Sequence, residues 1–397
     1  MSTVARMTFG ASAYDVAVIG AGPAGATAAR VAAEAGCRVV LLERGVLPRY
    51  KTCGGGLIGL SRAALPPGFD VPARDSIDRF TFTLGGRLSR TWRTGAPIID
   101  LVYRDELDAR LTASALDAGA KLEEGVTVNG IERTPDGATM RLRTSAGEVA
   151  AKAVVGADGT SGRSGSYVGV TLDQVDLGLE TEFAWPDPTA GDWKGRILID
   201  WGPLPGSYGW VFPKGDALTV GVIAARGDGA ATREYLAAFI DRLGLTGTPE
   251  LRSSGHLTRC RAEDSPLFRD RVLVAGDAAG LLEPWTREGI SYALRSGALA
   301  GASAVRVAGA VSESKLGFAT AGYRAAIETV LGPEMRAGRA FHTAFSRRAA
   351  WFHTAIATAP PAWNVFRRFV TGDTTLARLA SHRSVALTLK ALSGGHG

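Results

Sequence analysis

Asp15-Val-Ala-Val-Ile-Gly20-Ala-Gly22-Pro23-Ala24-Gly25 runs a short apolar strand directly into a glycine-spaced turn, and Arg38-Val-Val-Leu-Leu-Glu43 closes the next strand on an acid. Each residue type in that pattern has a physical task. Gly20 allows the tight turn, Gly22 lets backbone approach a pyrophosphate, and Gly25 lets the following helix pack on the strand. Pro23 near the helix start loses no hydrogen bond. Glu43 is placed to accept from ribose hydroxyls, with Ala24 in the turn and Arg44 after the acid among the expected cofactor contacts. Gly54-Gly-Gly-Leu-Ile-Gly59 repeats the spacing but follows no apolar strand, so it is not read as a second cradle.

The chain has 397 residues, 46% apolar and 21% charged, which suits two intimately joined folded domains. No apolar stretch reaches the ~18 to 20 residues of a membrane span. Met1 to Ala13 lacks the apolar core of a secretory signal, so cytoplasmic residence is expected. Cys37, Cys53 and Cys260 share no CxxC spacing and the five histidines include no HExxH, which argues against disulfides and metal. The net charge of +6 comes from arginines dispersed among acids, a solvated surface and not a nucleic-acid face. One region departs from this. From Met335 onward the basic residues from Arg336 to Lys390 face only Asp373, with Trp351, Phe352, Trp363, Phe366 and Phe369 interleaved. Two readings follow: a membrane-surface face, which would make the protein peripheral on the inner side of a membrane, or ordinary helix packing.

Strand, helix and strand up to Glu43 precede a loop, Arg44 to Gly59, too glycine-rich to be regular. Alternation over Ile77 to Arg93 around Gly85-Gly86 predicts a β-hairpin outside the nucleotide fold. A helix follows from about Arg104 to Ala118, before strands ending in Ala153-Val-Val155. Between about Ser166 and Asp264 alternating runs predict a second, largely antiparallel sheet with one helix, Arg233 to Leu243, as a substrate platform. The strand Arg271 to Ala275 and a helix from near Glu288 return to the first unit, and the rest reads as helical to Leu392. The expected division is an α/β Rossmann-like nucleotide domain of residues 1–75, 97–165 and 265–330, a substrate sheet of 76–96 and 166–264, and a helical region of 331–397.

Ala153-Val-Val-Gly-Ala-Asp158-Gly159 and Val272-Leu-Val-Ala-Gly-Asp277-Ala-Ala-Gly280 are two more strands ending in an acid and a glycine. Three such sites at the carboxyl ends of parallel strands gather a ligand longer than one motif can hold, most simply FAD. These strings resemble the fingerprints of the flavoprotein monooxygenase and reductase superfamily typified by para-hydroxybenzoate hydroxylase. The resemblance implies that Asp277 bonds the ribitol chain, that Asp158 joins the cofactor contacts, and that Arg104 lies near the phosphates. It also implies that the helix near Glu288, with Gly289 and Ile290, directs its N-terminal dipole at the flavin pyrimidine edge and stabilises the anionic reduced flavin.

Pro48-Arg-Tyr-Lys-Thr-Cys53-Gly54-Gly55-Gly56-Leu57 is similar to the signature loop of geranylgeranyl reductases, and Tyr208-Gly-Trp210-Val-Phe212-Pro213-Lys-Gly215 to their YxWxFPxG motif. Gly54 and Gly55 would let backbone lie against an isoalloxazine ring. Tyr208, Trp210 and Phe212, two apart on a strand, present one aromatic face, either to an apolar substrate or to the sheet core. Pro213 and Trp285 are further expected substrate contacts. Arg287 stands where the family usually has glycine, and is expected to crowd the flavin or to meet a charged head group.

The resemblance implies an FAD-dependent reductase of carbon-carbon double bonds in a polyprenyl chain on a lipid, diphosphate or quinone. Cys53, Tyr208 and Trp210 are the catalytic candidates; Cys53 either tunes chemistry beside the flavin or is an inert thiol. Tyr208, a water or the flavin itself could supply the proton, and NAD(P)H or a ferredoxin-like protein the electrons. The competing reading within the fold is an NAD(P)H-dependent hydroxylase of an aromatic or polyketide substrate. A third is a lipid carrier keeping FAD as a structural ligand. The Trp-x-Trp-x-Ile-Pro string of flavin halogenases is absent.

Overall fold

A computed structural model describes residues 13–185, 187, 190–227 and 229–394. The opening segment read for a leader therefore lies, but for Ala13, outside the described residues. The chain starts with β1 (Tyr14–Ile19), α1 (Pro23–Glu34), β2 (Val39–Glu43), β3 (Gly56–Leu57), α2 (Gly59–Ala63) and β4 (Ala73–Ile77). The hairpin β5 (Arg79–Leu84) and β6 (Arg87–Arg93) leads to β7 (Ile99–Val102), α3 (Arg104–Asp117), β8 (Lys121–Glu124), β9 (Val128–Arg133), β10 (Met140–Thr144), β11 (Gly147–Gly156) and α4 (Arg163–Val168). Next come β12 (Leu172–Ala184), β13 (Arg196–Trp201), β14 (Tyr208–Pro213), β15 (Ala217–Ala225), α5 (Gly229–Arg242), β16 (Glu250–Arg261), β17 (Phe268–Arg269) and β18 (Val272–Val274). The helices α6 (Ile290–Ala308), α7 (Glu313–Val330), α8 (Gly332–Thr358), α9 (Pro360–Thr371), α10 (Leu376–Ala380) and α11 (Arg383–Leu392) complete it.

An eight-stranded sheet is built around β1, which pairs in parallel with β2 on one side and β11 on the other; β18 pairs in parallel with β11. Ile19 is level with Leu42 and with Gly156, and Gly156 with Val274. All three acid-and-glycine strand ends therefore meet along one edge. The strands β1 and β2 are apolar runs buried on both faces, as a parallel sheet covered by helices requires. On that edge α1 and α6 cross closely. A side chain at Gly297 would overlap the Ala24 carbonyl, and one at Gly301 the Ala28 carbonyl, so small residues bring the start of α6 beside the Gly20–Gly25 turn.

The second sheet has seven strands in the order β16-β12-β15-β14-β13-β5-β6. It is antiparallel except at β5 and β13, which run parallel with Thr81 level with Leu198. A small third sheet, β3-β7-β4, departs from the sequence reading. Gly56 and Leu57, expected to be irregular, form an edge strand on β7 because Leu57 fills an apolar cluster with Val102, Leu107 and Leu294.

The C-terminal helices lie against the second sheet, and their aromatic residues point inward. Phe352, Trp363 and Phe369 are buried, Phe366 is half-buried, and Trp351 is 46% exposed. Trp363 stacks on Trp92 of β6 with ring centroids 5.5 Å apart. Two of the arginines also find acids from elsewhere in the chain: Arg339 pairs with Asp173 at 3.1 Å and Arg336 with Glu263 at 3.3 Å. Packing thus accounts for the interleaved aromatics. Among the described residues no helix is long and apolar enough to cross a membrane.

Candidate active site

A cavity of about 740 Å³ runs from the strand ends of the parallel sheet across one face of the second sheet to α9. Its wall includes Gly20, Gly22, Ala24, Glu43, Arg44, Cys53, Gly54, Gly55, Arg104, Asp158, Asp277, Gly289 and Ile290 from the expected cofactor set, and Tyr208, Trp210, Phe212 and Trp285 from the expected substrate set. Gly25 and Pro213 are not on that wall. A side chain at Gly25 would overlap the Gly20 carbonyl, so this glycine serves the strand-helix junction from behind. Pro213 ends β14 buried opposite Leu218.

At the polar end Gly20 has φ +97° and its place against the Ala157 carbonyl leaves no room for a side chain. Gly22 differs. A Cβ there would meet only Arg104 Nη2 at 3.7 Å and Arg49 Nη2 at 4.0 Å, so backbone opens onto space flanked by two guanidinium groups. Asp108, fully buried on α3, orients both: it accepts from Arg104 Nε at 2.8 Å and Nη2 at 2.9 Å, and from Arg49 Nη1 at 2.9 Å. A cradle of backbone and paired cations at a helix N-terminus is the donor set a pyrophosphate needs.

Glu43, expected to meet the ribose, is also engaged by the protein. Its Oε2 accepts from Ala21 N at 2.8 Å and Arg49 Nη2 at 3.1 Å, its Oε1 from Gly45 N at 2.9 Å, and Arg49 Nε lies 3.1 Å from Oε1. Burial pushes its pKa up, but the Arg49 hydrogen bond and charge, with the backbone donors, more than reverse this and hold it below the usual carboxylate value. Three hydrogen bonds occupy three of a carboxylate's four lone-pair sites, leaving Oε1 able to accept one more. Asp158 is likewise turned to the protein, accepting from Arg163 N at 2.7 Å and Ser164 N at 3.1 Å at the start of α4.

Asp277 has two partners that the sequence reading did not single out. His256 Nε2 on β16 lies 3.6 Å from its Oδ2, and Lys51 Nζ lies 3.0 Å from the same His256 nitrogen. Burial pushes the Asp277 pKa up, and His256, Lys51 and Arg104 outweigh it and bring it down; burial pushes Lys51 down. The loop carrying Lys51 is clamped from the second sheet. Glu180, buried on β12, accepts from Tyr50 Oη and Cys53 N, both at 3.1 Å, and buried Lys214 donates to the Cys53 carbonyl at 3.3 Å.

The three loop glycines have separate reasons. A side chain at Gly54 would stand 2.8 Å from Phe212 Cε2, and one at Gly55, where φ is +76°, would overlap the Val102 carbonyl. Only Gly56 has ordinary space, with Ile99 Cγ2 at 3.7 Å. Protein packing alone thus requires two of the three glycines: Gly54 admits the aromatic stripe and Gly55 the β7 backbone, while both also line the cavity.

The far end is apolar and aromatic. Phe80 and Phe82 of β5, Ile197, Ile199 and Trp201 of β13, and Tyr208, Trp210 and Phe212 of β14 all line it, alternate residues that share one sheet face. Trp285, Phe366, Phe369 and Val370 close it from the opposite side. The stripe is therefore both core and wall: Trp210 is 8% exposed, yet it borders the cavity and its Nε1 has no hydrogen-bond partner among the described residues. Thr258 Oγ1 on the same wall is also unpartnered. Two orphaned donors beside Gly54 and the polar end fit a polar ring system with acceptor atoms, as a flavin is.

Arg287 has φ +57°, a region that favours glycine, which accounts for the family preference there. Its guanidinium turns away from any head group, donating from Nε to Asp176 Oδ2 at 3.1 Å and from Nη1 to the Trp285 carbonyl at 2.7 Å. Both side chains are 2% exposed, so this part of the wall carries a buried ion pair. The alternating Phe80/Phe82 and Ile197/Ile199/Trp201 runs show the same spacing as the Tyr208 stripe, the signal by which they could have been found. Lys51 and His256 carry no such signal.

Comparison with known proteins fixes the family. Residues 15–157 match the family described as FAD dependent oxidoreductase. A geranylgeranyl diphosphate reductase of Rhodobacter capsulatus is 31% identical over 332 residues, covering 78% of this chain and 80% of its own. The chain belongs to the geranylgeranyl reductase family. Its members include a menaquinone reductase of Mycolicibacterium smegmatis, 31% identical over 309 residues, or 72% of this chain and 75% of its own. A geranylgeranyl bacteriochlorophyll reductase-like protein of Thermoplasma acidophilum superposes with TM-score 0.73 at 21% identity over 96% of each chain. A flavin-dependent brominase superposes with TM-score 0.74 at 17% identity over 96% of this chain and 99% of its own, so the fold of this reductase family is shared with halogenating enzymes. The protein is an FAD-dependent oxidoreductase.

Proposed function

We propose that this protein adds two hydrogens across a carbon-carbon double bond of a polyprenyl chain carried on a diphosphate, a lipid or a quinone. One observation carries the reading: a single cavity joins the dinucleotide turn at one end to a wall of eight apolar or aromatic residues from β5, β13 and β14 at the other. The names of the relatives, which act on geranylgeranyl and menaquinone compounds, agree with an apolar substrate of that length.

In this reading Gly20, Gly22, Arg49 and Arg104 hold the FAD pyrophosphate, and Glu43 supports the adenosine side through Ala21. Asp277, with Lys51 and His256, meets the ribityl chain. Cys53 to Gly55, Gly289 and Ile290 border the flavin. When bound and reduced, FAD supplies a hydride. The aromatic wall excludes water, which an unactivated alkene requires if hydride is to reach carbon and not be lost to solvent protons. Tyr208 positions the wall by donating to the Thr286 carbonyl, and burial pushes its pKa up, so it stays protonated through neutral pH. Docking on a membrane surface through residues 331–397 uses arginines and Trp351, since Phe352, Trp363 and Phe369 are buried.

Anaerobic incubation of the dithionite-reduced protein with geranylgeranyl diphosphate, a prenylated glycerolipid and menaquinone tests the proposal. A product heavier by two hydrogens per reduced bond supports it; a product heavier by one oxygen under air with NAD(P)H would overturn it in favour of the hydroxylase.

A further inference from the structure

Thr286 to Gly289 joins the two ends of the cavity. Tyr208 on the aromatic strand donates to the Thr286 carbonyl, and a side chain at Gly289 would stand 3.9 Å from Asp277 Oδ1. Glu288 lies between them on the wall. Its Oε1 accepts from Ser291 N at 2.7 Å and from Ser61 Oγ at 3.2 Å, while Oε2 accepts no hydrogen bond among the described residues.

The charges facing it are few. From its own loop come Glu283 and Arg287, the latter held by Asp176. From α6 come Arg295, which donates to the Val330 carbonyl, and the Tyr292 phenol; from α8 comes Glu334, which acts on that phenol. On α2, Arg62 is paired with Asp100. At the polar end Asp277 is met by His256 and Lys51. Burial is the dominant effect and pushes the Glu288 carboxyl up to about 7, against the Ser291 and Ser61 donors and with Glu283 adding to the rise. No cation is bonded to it among the described residues.

An acid with one oxygen fixed and the other free, at the junction of cofactor end and substrate end, is arranged to exchange a proton. We propose that Glu288 is the proton-exchanging group coupled to reduction of FAD in this site. Glu288 ionised in the oxidised protein binds a solvent proton that balances the negative charge arriving with an electron pair from a two-electron donor. On the reductase reading above, that proton is then the one delivered. The alkene π bond breaks, one carbon takes the hydride and the other the Glu288 proton, two C–H bonds form, and Glu288 is left ionised. The Ser291 contact alone would make Glu288 only a helix cap, a role that glutamine also fills.

The measurement is the reduction potential of the bound flavin against pH in the intact holoprotein, for wild type, E288Q and S61A. Wild type should take up one more proton per electron pair above pH about 7 than below it, seen as a steeper slope. E288Q should keep its flavin and show one slope throughout. Ser61→Ala, which keeps the carboxyl but removes a donor to its ionised form, should move the break to higher pH, and decides the matter should E288Q lose flavin. Equal slopes in wild type and E288Q, or a break unmoved in S61A, would overturn the proposal. The outcome is separate from substrate identity: a break that E288Q abolishes in a protein that saturates no polyprenyl compound leaves Glu288 as the coupled proton site and removes the reductase reading. Saturated product from a protein without a break does the reverse.

Discussion

The two ends of the cavity are built differently. At the polar end the core of the phosphate cradle is fixed by neighbours close in sequence, the Gly20–Gly25 turn and Arg104 with Asp108 within one helical turn, to which Arg49, Lys51 and His256 are added from other elements. At the apolar end β13 and β14 form a hairpin, but β5 joins β13 from far earlier in the chain and α9 covers β5 from far later. A phosphate is held by a few directional donors whose positions tolerate little change. A hydrocarbon chain is held by area, and any side chains of the right size supply it. The polar end should therefore fail abruptly on single changes, and the apolar end by degrees.

The sharpest test compares two glycines three residues apart. Gly25→Val, whose side chain would overlap the Gly20 carbonyl, is expected to abolish the folded protein, whereas Gly22→Leu should give a folded protein without bound FAD. Circular dichroism and flavin absorbance on the same samples check this; a Gly22→Leu protein with full flavin would remove the turn from the cofactor site.

Next in size, Asp108→Asn leaves two guanidinium groups short of their shared anion and should cost about 3–5 kcal/mol with loss of flavin affinity. Trp363→Ala at the other end should cost a similar ~3–5 kcal/mol while FAD stays bound. Urea unfolding with flavin titration separates them, and equal flavin loss in both would erase the contrast between the ends. Smaller still, Gly54→Ala must move the Phe212 ring from 2.8 Å and is expected to cost about 1–3 kcal/mol and disturb the flavin spectrum. Cys53→Ala should leave the spectrum unchanged and alter only the rate of reoxidation by substrate.

A pH effect belongs to the apolar side. Burial, and then the charge of Arg287, pushes the His342 pKa down to about 4 from its ordinary 6.5. The unfolded chain binds that proton first on acidification, so stability is lost as pH falls from 6.5 towards 4. His342→Gln should flatten the fall of melting temperature across that window. The smallest expected effect is at the surface. Replacing Arg367 and Arg368 with Glu should weaken low-salt binding to anionic vesicles, at about 1 kcal/mol per charge, without changing FAD content. Flotation shows this, and equal binding by both forms would leave the arginines as a solvated helix face.

How much of this could be read in the sequence follows the same division. The turn, Glu43, Arg104 and Asp277 were legible because their spacing is local and their chemistry constrained. The aromatic stripe of β14 was legible as a pattern, and β5 and β13 carry the same alternation, but that β5 lies beside them was not legible, because its pairing with β13 joins strands far apart in the chain. The partner of Arg287 was illegible for a related reason. That partner, Asp176, lies on β12, and a charge is judged free when its counter-charge is distant in sequence. The interleaved arginines and aromatics of the last helices had two readings; β5 and β6 supply packing partners for Trp363, while the arginines are left to the vesicle test.

The order of strands in the parallel sheet has a consequence for how the protein is made. The strand β1 is completed on one side by β2 after a single helix, but its other neighbour, β11, is followed only much later by β18, and α6 packs on α1 after that. The cradle is thus translated first, while Asp277, Glu288 and the helix that faces the cradle leave the ribosome when most of the chain is already outside. Contacts this distant in sequence form slowly. A nascent chain stalled before Val272 would expose the turn without the groups that close over it, so capture of FAD should be an event of late synthesis, and a truncation that spares every residue of the first motif should still yield a colourless protein.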